Sequence, residues 1–258
     1  MFVSPGVLAV SQQGRYVYVE QGATVDGGLS SFATYDVAAG RMLPTETVLP
    51  GFCNAAMLWP LPSEGTAAAV CLGPAHSVTL ADVLAGQATT LAVPDAPGFI
   101  NGIPIGGLAT GLAGSVLAPD SNFIYIVNRA GTVHRFDVAA RKFLPSIPLD
   151  LGRDMEVLVR QVQLSRDGKQ LYLGVGSIEA MYEGVSERVQ VYDTATWQLV
   201  RSVPAAQPVR SFALPADEQL LMISNKARAV SKIAPNASVP AAVLGIPGGQ
   251  LDAILTRP

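Results

Sequence analysis

The chain has 258 residues, enough for one large all-β domain or two ordinary domains. Hydrophobic residues make up 49% and charged residues 14%, which predicts strands buried on both faces, yet no apolar run reaches the ~18 residues of a membrane-crossing helix. A net charge of −3 without a basic stripe argues against nucleic acid as the main partner.

The N-terminal stretch MFVSPGVLAVSQQG lacks the basic start and long apolar core of a secretory signal, and reads as if it begins inside folded structure. Residues 9–20, AVSQQGRYVYVE, then set a pattern: a small or polar turn followed by an alternating strand. The pattern returns weakly at 59–71 (WPLPSEGTAAAVC) and clearly at 117–128 (LAPDSNFIYIVN), 164–176 (LSRDGKQLYLGVG) and 213–225 (ALPADEQLLMISN). The turn markers Gly14, Gly65, Ser121, Gly168 and Glu218 step by 51, 56, 47 and 50 residues. In the fourth copy Asp167-Gly168 supplies the φ > 0 position that a tight hairpin requires.

A second element follows four of the five turns in register: FATYDVAAGRML at 32–43, HSVTLADVLAG at 76–86, VHRFDVAARKFL at 133–144 and VQVYDTATWQLV at 189–200. Asp36, Asp82, Asp137 and Asp193 are placed to close a strand by accepting backbone amides of the next turn. Each unit opens with an inner strand, seen in VLAVS (7–11), VRQVQLS (159–165) and VRSFALP (209–215). Strand, tight turn, strand, loop, strand, Asp turn and strand over ~40–50 residues is the pattern of a β-propeller blade. The rival is a β-sandwich or another β-solenoid, but a sandwich requires no fixed repeat.

The expected fold is therefore all-β, a single propeller domain over 1–258 with approximate blades at 5–50, 51–97, 110–150, 158–205 and 208–247. Residues 250–256 have the character of the inner strand of a further, incomplete blade, so the ring is expected not to close within this chain. An unclosed stack leaves strand edges exposed.

From 131 to 225 the order GTVHRFDVAARKFLP, VQLSRDGKQLYLGVG, ERVQVYDTATWQLVRSV, ALPADEQLLMISN resembles the heavy subunit of quinoprotein amine dehydrogenases of the methylamine and aromatic-amine type. The likeness extends upstream through LPGFCNAAMLWPLP and VPDAPGFINGIPI, and matches the last five blades of that seven-bladed subunit. Shorter pieces are shared with propellers of the Tyr-Val-Thr-Asn repeat type. The resemblance implies a periplasmic heterotetramer. In it a small partner subunit carries a tryptophan-derived quinone that oxidises primary amines, and electrons pass to a cupredoxin or a cytochrome. This chain would then be scaffold and channel wall, with no catalytic residue, no cofactor-binding residue and no metal ligand of its own.

Cys53 and Cys71 flank the turn at 62–65, and folding that hairpin brings them to neighbouring strands within disulfide range. Two buried free thiols are the alternative. The resemblance implies the bond, and with it an oxidising compartment. The two histidines, His76 and His134, fall in different units with no ligand-spaced Cys, Asp or Glu, and read as surface or strand-edge residues. Trp59 and Trp197 read as structural, Trp197 as an aromatic packed between blades. A long loop at 177–188 makes Glu179, Tyr182, Glu183, Glu187 and Arg188 the expected partner contacts, with Arg153, Asp154 and Glu156 a smaller group of the same kind. Asn236-Ala-Ser238 matches a glycosylation pattern by coincidence of composition. A non-catalytic interaction scaffold is the second functional reading. A propeller hydrolase is disfavoured, because acidic residues and histidines do not converge in the pattern.

Overall fold

The computed structural model describes residues 8–21, 31–49, 53, 56–72, 76–94, 111–152, 157–215, 217, 219–224, 228–239 and 242–245. These residues are almost entirely β. The first sheet contains β1 (Leu8–Val10), β2 (Tyr16–Gln21), β3 (Ser31–Asp36) and a fourth position shared by β4 (Arg41–Met42) and β5 (Thr47–Val48). The second runs β6 (Ala56–Pro60), β7 (Thr66–Cys71), β8 (Ser77–Asp82), β9 (Gln87–Ala92). The third runs β10 (Leu112–Leu117), β11 (Phe123–Asn128), β12 (Thr132–Asp137), then β13 (Lys142–Phe143) and β14 (Ile147–Pro148) one after the other along β12. The fourth is β15 (Leu158–Leu164), β16 (Gln170–Gly176), β17 (Ser186–Asp193) and β18 (Leu199–Val209). The fifth is β19 (Ser211–Ala213), β20 (Leu220–Ser224), β21 (Ala229–Ile233) and β22 (Ala242–Gly245). All five are antiparallel meanders in chain order, consistent with blades. The expected strand over 250–256 and the start of the first inner strand at Val7 lie outside the described residues.

The turn chemistry sets the register. Ser165 N–H donates to the Gln170 carbonyl at 2.8 Å and Gly168 N–H to the Ser165 carbonyl at 2.9 Å, with Gly168 at φ +74°. The same two bonds recur at Ser11, Gly14 and Tyr16. A left-handed residue occupies the corresponding place at Gly14, Gly65 and Ser121. Asp167 Oδ1 accepts from Ser165 Oγ and from Lys169 N–H, which secures the Asp-Gly turn. The turn places Leu164 opposite Leu171 and carries β16 against β17 with Tyr172 facing Val191.

The second expected turn forms as an Asp-capped loop. Asp36 Oδ1 accepts from Ala39 N–H at 3.0 Å, Asp82 from Leu84 and Ala85, Asp137 from Ala140, and Asp193 from Ala195 and Thr196. Four residues after each Asp the chain enters the left-handed region, at Gly40, Gly86, Arg141 and Trp197.

Burial on both faces holds for the middle strands and fails for the outermost ones. Ala67 to Cys71 of β7 and Leu171 to Gly176 of β16 are buried without alternation. Five of the six residues of β9 are exposed, and both residues of β4. Sheets stacked on both sides read as continuous apolar runs, whereas a peripheral strand meets solvent.

The chain divides into two compact units. One comprises Met1–Ile105 with Ser121–Phe123 and Phe136–Leu144; the other comprises Gly106–Asp120, Ile124–Arg135 and Pro145–Pro258. In the first unit, Tyr16, Tyr18 and Phe32 pack with Leu58, Ala67, Ala69 and Ala81, so the first and second sheets share a core. Small alanines on β7 give room to the aromatic rings opposite, and Tyr18 meets Phe32 edge to face at 6.1 Å. In the second unit, Val127, Val133, Val162, Leu171 and Leu173 join the third and fourth sheets, while Tyr172, Val191, Phe212, Met222 and Ile233 join the fourth and fifth.

Between those last two sheets, side chains do the work of a strand ladder. Gln161 donates to the Phe212 carbonyl at 2.8 Å and accepts from Phe212 N–H at 3.1 Å, and Gln163 donates to the same carbonyl. The edge of β19 is thereby satisfied without a neighbouring strand. Gly174 permits this approach: a Cβ there would meet Ser186 Oγ at 2.7 Å and the Phe212 ring at 3.1 Å.

Cys53 and Cys71 are bonded as a disulfide with Cα atoms 5.3 Å apart. The pairing is not a directly opposed one, because Ala56 faces Cys71 in the ladder and Cys53 lies three residues before it. The bond therefore clamps the approach to β6. Closing an 18-residue separation contributes on the order of 3 kcal/mol by restricting the unfolded chain.

Candidate functional site

The segment expected to be a long loop is instead a short helix and a turn leading into β17. α1 (Ile178–Tyr182) is capped by Ser177, whose Oγ accepts from Ala180 N–H at 3.3 Å. Glu187, on β17, holds the cap from the other side: its carboxylate accepts from Ser177 N–H at 3.0 Å and from Ser177 Oγ at 3.1 Å. Ala180 is buried and receives Val185 N–H on its carbonyl at 2.9 Å, which folds the chain back.

This geometry separates the five expected contact residues. Glu179 and Tyr182 of α1, and Glu183 in the turn just after it, are exposed at the i, i+3 and i+4 spacing. Tyr182, at 76% exposure, is the most exposed large hydrophobic side chain among the described residues. Glu187 is committed to Ser177. Arg188 is half-buried and donates to the Leu151 carbonyl at 3.1 Å, beside Gln190, which donates to the same oxygen at 3.2 Å. Arg188 ties the segment to Leu151, while Glu187 stays exposed as it holds the cap. Arg153, Asp154 and Glu156 lie outside the described residues.

The first unit holds a cleft of about 360 Å³ that local sequence patterns did not announce. Leu61, Ser63 and Thr66 line it from the turn between β6 and β7, Asp82 from the end of β8, and Asn122 and Arg141 from the turns flanking β11 and β12. Asp82 spends its carboxylate on Leu84 and Ala85 N–H groups. The lining contains no paired nucleophile and base.

The histidines need one correction. His134 is neither a surface nor a strand-edge residue: it is fully buried, with Nδ1 2.9 Å from Ser146 Oγ. His76 is half-buried at φ +30°, and burial lowers its pKa below the usual range. Among the described residues, no group of three or more His, Cys, Asp or Glu is placed to hold a metal ion.

Trp197 packs as expected. Its ring meets Tyr125 of β11 at 5.6 Å, edge to face, and lies under the Arg135 guanidinium at 5.9 Å. Trp59 is half-buried on β6, opposite Ala68. Asn236 is exposed in the turn after β21. At the end of β21, Ile233 pairs with Leu220 where three of the other sheets place an Asp opposite the first residue of the preceding strand, and in the turn that follows Arg201 of β18 donates to the Ala234 and Ala237 carbonyls.

Among the described residues, no helix is long and apolar enough to cross a membrane. No protein-family model matches the chain, and none of the curated proteins compared with it matches either.

Proposed function

We propose that the five sheets are blades of a β-propeller, and that the chain is the large subunit of a periplasmic tryptophan-quinone amine dehydrogenase. In that assembly it serves as rigid scaffold and channel wall. The quinone, carried by a small partner subunit, supplies the oxidation of a primary amine to aldehyde and ammonia. Electrons then leave to a cupredoxin or a cytochrome. The chain's own part is to bind and orient that partner, and the exposed Glu179 and Tyr182 of α1 and Glu183 just after it are the proposed contacts.

The observation that carries the scaffold role is one four-stranded meander repeated in sequence order, with the same left-handed turn positions in successive copies. The choice of family rests on the order of features along the chain: a Cys pair in one sheet, then GTVHRFD with FLP, then an insertion before VYDTAT. The Cys53–Cys71 disulfide supports an oxidising compartment.

A non-catalytic interaction scaffold is the second reading, favoured by a cleft whose lining has no nucleophile–base pair. Co-expression with a short, Cys-rich, Trp-containing chain encoded by a neighbouring gene separates the two. Copurification with amine-dependent dye reduction is the expected result. A chain that purifies without such a partner, and whose mixtures reduce no dye, returns the protein to the scaffold reading.

A further inference from the structure

Two arginines occupy the same place in successive sheets, in Val159-Arg160 and Val209-Arg210, where each inner strand begins. Arg160 sits at a register break in β15, between Val159 and Gln161. Such a break re-aims the side chain away from the regular alternation. Arg160 Nη1 donates to the Arg210 carbonyl, and Arg210 Nη1 donates to the Gly184 carbonyl at 3.1 Å. The two guanidinium groups converge on the bare face of Gly184: a Cβ there would collide with Arg210 Nη1 and lie 4.0 Å from Arg160 Nη2.

Neither arginine forms a salt bridge with a carboxylate among the described residues; the ion pairs found there are Arg15–Asp36 and Lys169–Asp167. Each guanidinium has five N–H donors, and one of each is spent on a backbone carbonyl. Partial burial and the neighbouring positive charge of Arg210 hold Arg160 below its usual pKa. Arg160 is half-buried and Arg210 exposed, and two like charges brought together with one of them partly desolvated are costly unless an anion joins them.

We propose that Arg160 and Arg210, beside Gly184, form a binding site for a small oxyanion, a carboxylate or a phosphate group. The planar forks of the two guanidiniums suit two oxygens of one such group. The site does not depend on the amine dehydrogenase reading.

Thermal unfolding of the whole chain, titrated with inorganic phosphate or with acetate against chloride at constant ionic strength, tests it. A saturable rise in Tm with either anion is expected, and which anion gives it identifies the group. Arg210→Gln should weaken the response about tenfold or more, the scale of one lost charge-assisted contact. Gly184→Ala, which keeps both arginines but fills the space between them, should weaken it as well. Arg41→Gln removes the same charge from β4 and should leave the response intact. Near-UV circular dichroism of each variant checks that its fold is kept. No saturable response to either anion, or an equal loss in Arg41→Gln, overturns the site.

Discussion

Gln161 makes three kinds of statement at once: it sits at the register break of β15, its amide reads both backbone groups of Phe212, and its Cβ lies near Gly174. Replacing it with Leu leaves the Phe212 N–H without its acceptor at a sheet–sheet contact. The expected loss is about 1–3 kcal/mol, read as a lower urea midpoint at unchanged m. The turn aspartates act through charge. Backbone N–H groups hold the carboxyls of Asp36, Asp167 and Asp193 below their usual 3.8. Their contribution is therefore complete above pH 3.8 and fades as the pH falls through their still lower folded values. An Asp36→Asn, Asp167→Asn, Asp193→Asn triple variant keeps an acceptor in each turn without the titration. Its stability should change less steeply than wild type between about pH 4 and 2, measured by denaturant unfolding at each pH. An unchanged slope would show that these turns do not couple to acid unfolding.

At the level of elements, each Asp turn demands a left-handed residue four positions on. Two copies meet the demand with Gly40 and Gly86, and two with Arg141 and Trp197. Trp197 is compensated by its packing on Tyr125 and Arg135, while Arg141 is exposed on the rim of the cleft. Arg141→Gly should therefore raise stability by up to about 1 kcal/mol, because it relieves the left-handed strain. Trp197→Gly should lower it, because the ring contacts are lost with the strain. Denaturant midpoints of the two variants, moving in opposite directions, are the expected outcome. The position was readable as Gly in two copies, but a Trp or Arg there gives no local warning. α1 escaped the sequence for a similar reason: five residues are too few to show helical periodicity. Its cap depends on Glu187, on a strand ten residues away from Ser177.

Over the whole molecule, the outermost strands are the exposed part of a buried-strand architecture. Val243 and Leu244 of β22 are 61% and 60% exposed, and no strand pairs with β22 beyond β21 among the described residues. Unprotected apolar edges promote strand addition between molecules. Val243→Lys with Leu244→Lys should reduce concentration-dependent association in light scattering, while moving the unfolding midpoint by no more than about 0.5 kcal/mol. An unchanged association would place the sticky surface elsewhere.

The sequence by itself determined the repeat, the antiparallel meander within each copy, both turn types and the residues that make them. All of these depend on contacts only a few positions apart, and Asp-Gly pairs and Asp-capped turns write them locally. It also brought Cys53 and Cys71 to the same hairpin with a small offset from ideal pairing, and the structure bonds them with Ala56, not Cys53, opposite Cys71. Only the tertiary structure decided that Glu187 caps α1 through Ser177 and Arg188 is tied to Leu151, that His134 is buried, and that Arg160 and Arg210 meet at Gly184. Those arrangements join residues from different strands or different sheets. Their geometry comes from packing, which one-dimensional spacing does not encode.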